Sequence, residues 1–221
     1  MTATQPDICW TVSKLSQYLN NPRKPQLEAL KRLFQYIQAT KHYKLTFTQS
    51  HGNLTGYCDS EWAGDEESRR STTGYMFTLG SAPISKRTRK QSTVALSSCE
   101  AEYIALAEAV KEMIYQHEFC ILLGHSIAQP PKTLIYCDNQ GAIALRTKRS
   151  GQMNHTKHID VRYHFIRERH DAEYQYIPSS DNLADILTKP LGKIQHQHLT
   201  EHWHKHCGGV LRNNALCLSE H

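Results

Sequence analysis

Leu54-Thr55-Gly56-Tyr57-Cys58-Asp59-Ser60 is the stretch from which the rest of the chain can be read. Its alternating pattern predicts a strand over Leu54–Cys58, and that strand ends on an acid, Asp59. The pattern returns at Leu134-Ile135-Tyr136-Cys137-Asp138-Asn139, a strand over Thr133–Cys137 that again ends on an acid. If the two strands are neighbours, Asp59 and Asp138 stand side by side at one edge of a sheet. Carboxylates packed in this way repel unless a cation joins them, and hard oxygen ligands select Mg²⁺ or Mn²⁺. Cys58 and Cys137, one residue earlier, then point to the opposite face as small buried groups.

Working outward, Thr72–Leu79 is β-branched and aromatic, and Gly80-Ser81 turns it into a third strand, Pro83–Lys90. Three short strands in succession predict an antiparallel meander. A long helix follows from Ser98 to Leu123, with Tyr103, Ala107, Val110 and Ile114 on one stripe and Gly124 as its stop. After the fourth strand come a short helix, a basic loop, a helix over His158–His170, a strand over Tyr174–Ile177 and a helix from Asn182. Meander, helix, then strand–helix alternation is an α/β layout. Upstream, a helix over Asp7–Tyr18 is broken by Asn20-Asn21-Pro22. A second carries Leu27, Leu30, Leu33, Phe34 and Ile37 at helical spacing. The expected units are a helical appendage over 1–50, the α/β domain over 51–192, and a His-rich helix and tail over 193–221.

Two further acids can complete a metal site. The long helix opens Ser97-Ser98-Cys99-Glu100-Ala101-Glu102, where Ser97 and Glu100 match a capping box. Glu102 lies about 200° around the helix from Glu100, so the two cannot share a face. Capping therefore falls to Glu100 and the metal site to Glu102. In Ser180-Asp181-Asn182-Leu183-Ala184-Asp185, Asp181 reads as a helix N-cap and Asp185 as the fourth ligand, a turn further in. Each strand-end Asp has a bland alternative as a turn former, and Asp138-Asn139 could simply cap the next helix. Two divalent ions on such acids would serve in-line phosphoryl chemistry. No Ser-His-Asp arrangement, glycine-rich phosphate loop or zinc spacing competes with them in this region.

The chain of 221 residues is long enough for a sizeable core, and it lacks an apolar run of the roughly 18 residues needed to span a membrane. Residues 1–25 show no basic-then-apolar pattern, so a secretory leader is not expected. The balance of 26 Lys+Arg against 21 Asp+Glu, net +5, is compatible with a polyanionic partner. Seven scattered cysteines without a Cys-x-x-Cys pair suit a reduced, intracellular and cytoplasmic setting better than a disulfide framework. Lys86, Arg87, Arg89 and Lys90 on the third strand, with Lys157, His158 and Arg162 further on, are candidate contacts to a duplex backbone. Strand alternation lets only some of the first group share a face. Ser60, Asn139 and Gln140, beside the acids, are candidate donors to 2′-hydroxyls. In the tail, His198, His202 and His206 could line one helix face and bind zinc, against the plainer reading of a solvated amphipathic helix.

Several ordered segments also carry a resemblance. They are Tyr57-Cys58-Asp59-Ser60-Glu61-Trp62-Ala63-Gly64-Asp65, Arg69-Arg70-Ser71-Thr72-Thr73-Gly74-Tyr75, Ala95-Leu96-Ser97-Ser98-Cys99-Glu100-Ala101-Glu102-Tyr103, Tyr136-Cys137-Asp138-Asn139-Gln140, Thr156-Lys157-His158-Ile159-Asp160 and Leu183-Ala184-Asp185-Ile186-Leu187-Thr188-Lys189. Together they closely resemble the ribonuclease H domain of copia-type LTR retrotransposon Pol polyproteins. Residues 1–50 look like the C-terminal tail of the preceding reverse transcriptase. The resemblance implies a ribonuclease H-like fold, a five-stranded mixed sheet flanked by helices. It implies Mg²⁺-dependent cleavage of the RNA strand of an RNA–DNA hybrid, with Asp59, Glu102, Asp138 and Asp185 as the acids. Two departures stand out. Tyr176-Ile177-Pro178-Ser179-Ser180 lacks the histidine that cellular ribonucleases H carry before the last acid, and Ser85 is followed by Lys86 where copia-type relatives show Trp. The leading expectation is a hybrid-directed endoribonuclease, with no membrane association and with the upstream reverse transcriptase as a possible partner domain. The alternatives are a catalytically silent nucleic-acid-binding remnant and a DNA-directed nuclease of the same fold.

Overall fold

The computed structural model describes residues 4–45, 47, 53–80, 82–123, 132–145 and 157–203, the side chains of 157–160 and 163 excepted. Strands β1 (Leu54–Glu61), β2 (Thr72–Leu79) and β3 (Ala82–Lys90) form the expected antiparallel meander. Strands β4 (Thr133–Cys137) and β5 (Ala172–Tyr176) add in parallel on the other side of β1. The sheet order is β3-β2-β1-β4-β5, the five-stranded mixed sheet of a ribonuclease H-like fold. Asp59 does not end its strand. β1 runs on to Glu61 because β2 keeps pairing with it, Asp59 opposite Gly74 and Glu61 opposite Thr72.

Among the described residues, six α-helices accompany the sheet: α1 (Cys9–Ser16), α2 (Lys24–Thr40), α3 (Ser98–Leu122), α4 (Gln140–Leu145), α5 (Lys157–Arg167) and α6 (Lys193–Glu201). The N-terminus of α3 is capped as expected. Ser97 Oγ accepts from Glu100 N at 3.1 Å, and Leu96 N donates to the Glu100 carboxylate at 2.9 Å. Gly124 and the basic loop lie outside the described residues. The helix expected from Asn182 is instead a pair of 3₁₀ turns, Ser179–Asp181 and Leu183–Leu187. Asn182 separates them in extended conformation, its side chain accepting from Ala184 N at 3.1 Å and donating to Cys58 O at 2.9 Å. Thus Asn182, not Asp181, is the cap, and tying it to β1 prevents a continuous helix. Asp181 instead meets His198 at 3.1 Å.

Strand alternation gives the sheet two distinct faces. On one, Cys58, Tyr75, Phe77, Ile135 and Cys137 pack under Leu106, Val110 and Met113 of α3. On the other, Met76 packs with Leu183, Ile186, Leu187, Leu191, Leu199, Trp203 and Cys9. The N-terminal segment is therefore built into the second layer, α1 touching β3 and the Leu183–Leu187 turn. On α2 only Leu33 of the apolar series is buried, while Leu27 and Phe34 are 49% and 58% exposed.

Gly74 lets that second layer approach. A Cβ there would lie 2.6 Å from Thr188 Cγ2 and 2.9 Å from Leu187 Cβ. Gly74→Ala is expected to destabilise the protein by about 1–3 kcal/mol, the usual cost of overpacking. The push falls on the segment carrying Asp185, so metal affinity should fall along with thermal stability. Unchanged melting and unchanged Mn²⁺ binding would show that the segment yields freely.

Candidate functional site

The parallel register of β1 and β4 ends at Cys58 opposite Cys137, so Asp59 and Asp138 emerge next to each other. The cysteines are fully buried on the α3 side. Asp185 arrives on the turn that Asn182 ties to β1. One carboxylate oxygen from each of Asp59, Asp138 and Asp185 lies within 4.8 Å of the others. Glu102 comes from the first turns of α3 and accepts from Ser60 N at 3.1 Å. It groups with Asp138 and Cys137 at the same spacing, so Asp138 is common to both clusters.

Electrostatics make this arrangement costly without a cation. Burial first, then the charge of Asp138, raises Asp59 above the usual carboxylate range, against the opposing pull of Lys189. Burial and Asp59 push Glu102 well up, and burial and Asp59 push Asp185 to about 8. Asp185 is wholly buried, and its Oδ1 has no hydrogen-bond partner. A buried oxygen without a partner, among hard carboxylate donors, suits Mg²⁺ or Mn²⁺.

Sequence reasoning assigned no role to four neighbours of this cluster. Lys189 Nζ lies 3.0 Å from Asp185 Oδ2 and 3.5 Å from Asp59 Oδ1. Burial draws the ammonium pKa down, but Asp59 and Asp185 more than offset this, and the net shift is upward. The Thr188 hydroxyl donates to Asp59 Oδ2 and the Ser179 hydroxyl to Asp138 Oδ2, while Asn182 fixes the turn. The signal for Lys189 was its spacing of four from Asp185, which ordinarily reads as an exposed surface pair.

Pairing with β2 decides where the basic residues of β3 point. Arg87 and Arg89 stand opposite Tyr75 and Thr73 on the α3 face, whereas Lys86 and Lys90 stand opposite Met76 and Thr72. Lys86 is half-buried beside Asp7 and Cys9. Lys90 pairs with Asp65 at 2.9 Å and still reaches the rim of a cavity lined by Arg87, Arg89, Gln91, Glu108 and Arg162. Arg162 Nη1 is buried there without a hydrogen-bond partner. Ser60 is buried with its Oγ unpartnered, Asn139 caps α4 by accepting from Ala142 N at 2.9 Å, and Gln140 is exposed. Lys157 and His158 lie in the first turn of α5, their side chains outside the described set. His206 also lies outside it, and among the described residues no histidine joins a metal-holding group. No helix among the described residues is long and apolar enough to cross a membrane.

No protein-family model matches the chain. Over 192 residues it is 44% identical to the retrovirus-related Pol polyprotein from transposon TNT 1-94 of Nicotiana tabacum, a match covering 86% of this chain. Over most of its length the chain is similar to retrovirus-related Pol polyproteins of transposons. It spans 13–15% of the length of three such relatives. It is also 48% identical over 116 residues to the secreted RxLR effector protein 161 of Plasmopara viticola, covering 52% of this chain and 82% of that one. Among solved structures, it resembles the N-terminal RNase H domain of rv2228c from Mycobacterium tuberculosis at 12% identity and a TM-score of 0.45. That match covers 68% of this chain and 97% of that one. The fold assignment rests on the chain's own strand order and register.

Proposed function

We propose that this chain is a segment of a retrotransposon Pol polyprotein and a divalent-metal-dependent endoribonuclease that cuts the RNA strand of RNA–DNA hybrids during reverse transcription. The observation that carries the reading is the convergence of Asp59, Asp138 and Asp185, with Glu102 joined through Asp138 and one buried Asp185 oxygen unpartnered. Asp59, Glu102, Asp138 and Asp185 would hold two Mg²⁺ ions, or Mn²⁺ in their place. When bound, the ions supply Lewis acidity at the phosphate and a water of lowered pKa. Hydrolysis transfers the water oxygen to phosphorus and breaks the P–O3′ bond. The leaving oxygen takes a proton, giving 3′-hydroxyl and 5′-phosphate ends. The chain's own residues orient these groups: Ser60 N fixes Glu102, Thr188 fixes Asp59, and Ser179 fixes Asp138.

The cavity around Arg87, Arg89 and Arg162 supports contact with duplex phosphates, and Arg162 Nη1 is a buried donor without a partner. Lys86, Lys90, Lys157 and His158 remain candidate backbone contacts. Ser60, Asn139 and Gln140 remain candidates for reading the 2′-hydroxyl, which distinguishes RNA from DNA. The upstream reverse transcriptase is the proposed neighbouring domain. A reduced cytoplasmic setting accords with Cys9, Cys58, Cys99, Cys120 and Cys137 standing as thiols outside any disulfide.

A second reading is a catalytically silent nucleic-acid-binding module, and similar sequence also occurs outside Pol polyproteins, in a protein named a secreted effector. Cleavage of a labelled RNA–DNA hybrid with Mg²⁺, beside double-stranded DNA and single-stranded RNA, separates the readings. Cutting confined to the hybrid, and lost in Asp138→Asn, is the expected result. Cutting of double-stranded DNA would instead identify a DNA-directed nuclease. Folded protein that cuts nothing, with its reverse transcriptase supplied, would leave the silent module.

A further inference from the structure

Lys189 has no part in the two-metal scheme, yet its ammonium sits within the acid cluster. It bridges Asp185 Oδ2 at 3.0 Å and Asp59 Oδ1 at 3.5 Å, on a side chain only 30% exposed. These two carboxylates also belong to the group of oxygens close enough to share one ion. Two divalent ions together with the ammonium would exceed the charge of the four carboxylates, and each would repel its neighbours at short range. The other side of Lys189 faces an open cleft lined also by Asp7, Tyr36 and His196. That solvent-facing side gives the flexible side chain a direction in which to move away from the acids.

We infer that Lys189 is an exchangeable occupant of one cation position, holding Asp59 and Asp185 together in the metal-free protein and swinging toward the Asp7 side when a second divalent ion enters. The inference rests on the metal-site reading above. Lys189 is a positioning residue here, and two consequences follow. The first ion binds with the ammonium still in place, whereas the second must displace it and so binds more weakly. Without the ammonium, the acids lack a counter-charge until metal arrives.

The test is a Mn²⁺ titration of wild type, Lys189→Met and Lys189→Gln by calorimetry, with Asp138→Asn as the site control and thermal melts with and without metal. Wild type should bind one ion tightly and a second at least about tenfold more weakly, and both Lys189 variants should tighten the second by about tenfold or more. Metal-free Lys189 variants should melt below wild type, and Mn²⁺ should restore them to the wild-type temperature or above. A second affinity within twofold of wild type in both variants, with binding otherwise intact, would overturn the inference alone. So would a lowered melting temperature that saturating Mn²⁺ fails to restore, because that marks a merely structural ion pair. Wild-type Mn²⁺ binding no different from Asp138→Asn would sink the metal-site reading and this inference with it.

Discussion

Asp59→Asn is expected to abolish Mg²⁺-dependent hybrid cleavage while making the metal-free protein more stable. Both effects come from the same buried charge, for Asp59 is 1% exposed and shares its cluster with Asp138 and Asp185. Charge stabilisation by a bound metal supplies several kcal/mol to a phosphoryl transition state, and about 4 kcal/mol corresponds to about 10³-fold in rate. Loss of a metal-ligating carboxylate should therefore cost on the order of 10³-fold or more. Stability moves the other way because the substitution removes a repelling charge, keeps the Thr188 contact and gives up only the longer, 3.5 Å approach of Lys189. An amide oxygen still accepts from Thr188, and Lys189 still holds Asp185 at 3.0 Å. A gain of about 1 kcal/mol raises the melting temperature of a domain this size by about 2–4 °C.

The pH dependence of the metal-free protein checks the same point. Burial and Asp59 raise Asp185 from the ordinary 3.8 to about 8, so the folded state holds a proton that the unfolded state has already released. That contribution to stability is complete below the unfolded pKa and is lost as pH rises through about 8. Melts in EDTA should therefore fall between pH 4 and 8 for wild type, and fall less in the D59N protein, where Asp185 has lost its strongest charged neighbour. A D59N protein that melts lower than wild type across this range would show that Asp59 is held by Lys189 and Thr188 more strongly than its neighbours repel it.

Deleting residues 1–52 should cost more stability than any single substitution described above. A boundary near residue 50 would separate Cys9 from Met76, Leu187, Leu199 and Trp203, and would strip α1 from β3. It would also remove the buried group of Ile8, Leu33 and Tyr36. Each large apolar side chain left exposed costs about 1.5–3 kcal/mol, so a few such losses should lower the melting temperature by about 10 °C or more. Leu27→Ser is the matched control, because Leu27 is already 49% exposed and should change the melt little. Calorimetric melting of the shortened chain decides the matter. A transition like that of the full chain would make residues 1–50 a separable unit.

The acids illustrate how far local pattern reaches. Cys58-Asp59 and Cys137-Asp138 carry the same cysteine-then-acid order, and alternation alone sends the thiols one way and the carboxylates the other. Glu102 and Glu100 separate by helix geometry, and the cap at Ser97 agrees with it. The segment around Asp185 was harder to read. Leu183, Ala184, Ile186 and Leu187 are all buried, so they lack the one-sided apolar stripe of a surface helix. The bond from Asn182 to Cys58 O then spans 124 positions along the chain. No local pattern encodes a bond of that kind.

The sequence by itself determined the order of the elements, the type of most of them, the α/β class and the acids to examine, because strand alternation, helix period and caps act within a few residues. Tertiary structure alone decided the rest. Register between β1 and β2 carried the strand past Asp59, and pairing of β3 with β2 divided its basic residues between two faces. Packing of the Leu183–Leu187 turn against Gly74 brought Asp185 and Lys189 to Asp59. Each of these depends on contacts between segments far apart in the chain, whose relative placement is fixed only when both faces of the sheet are covered.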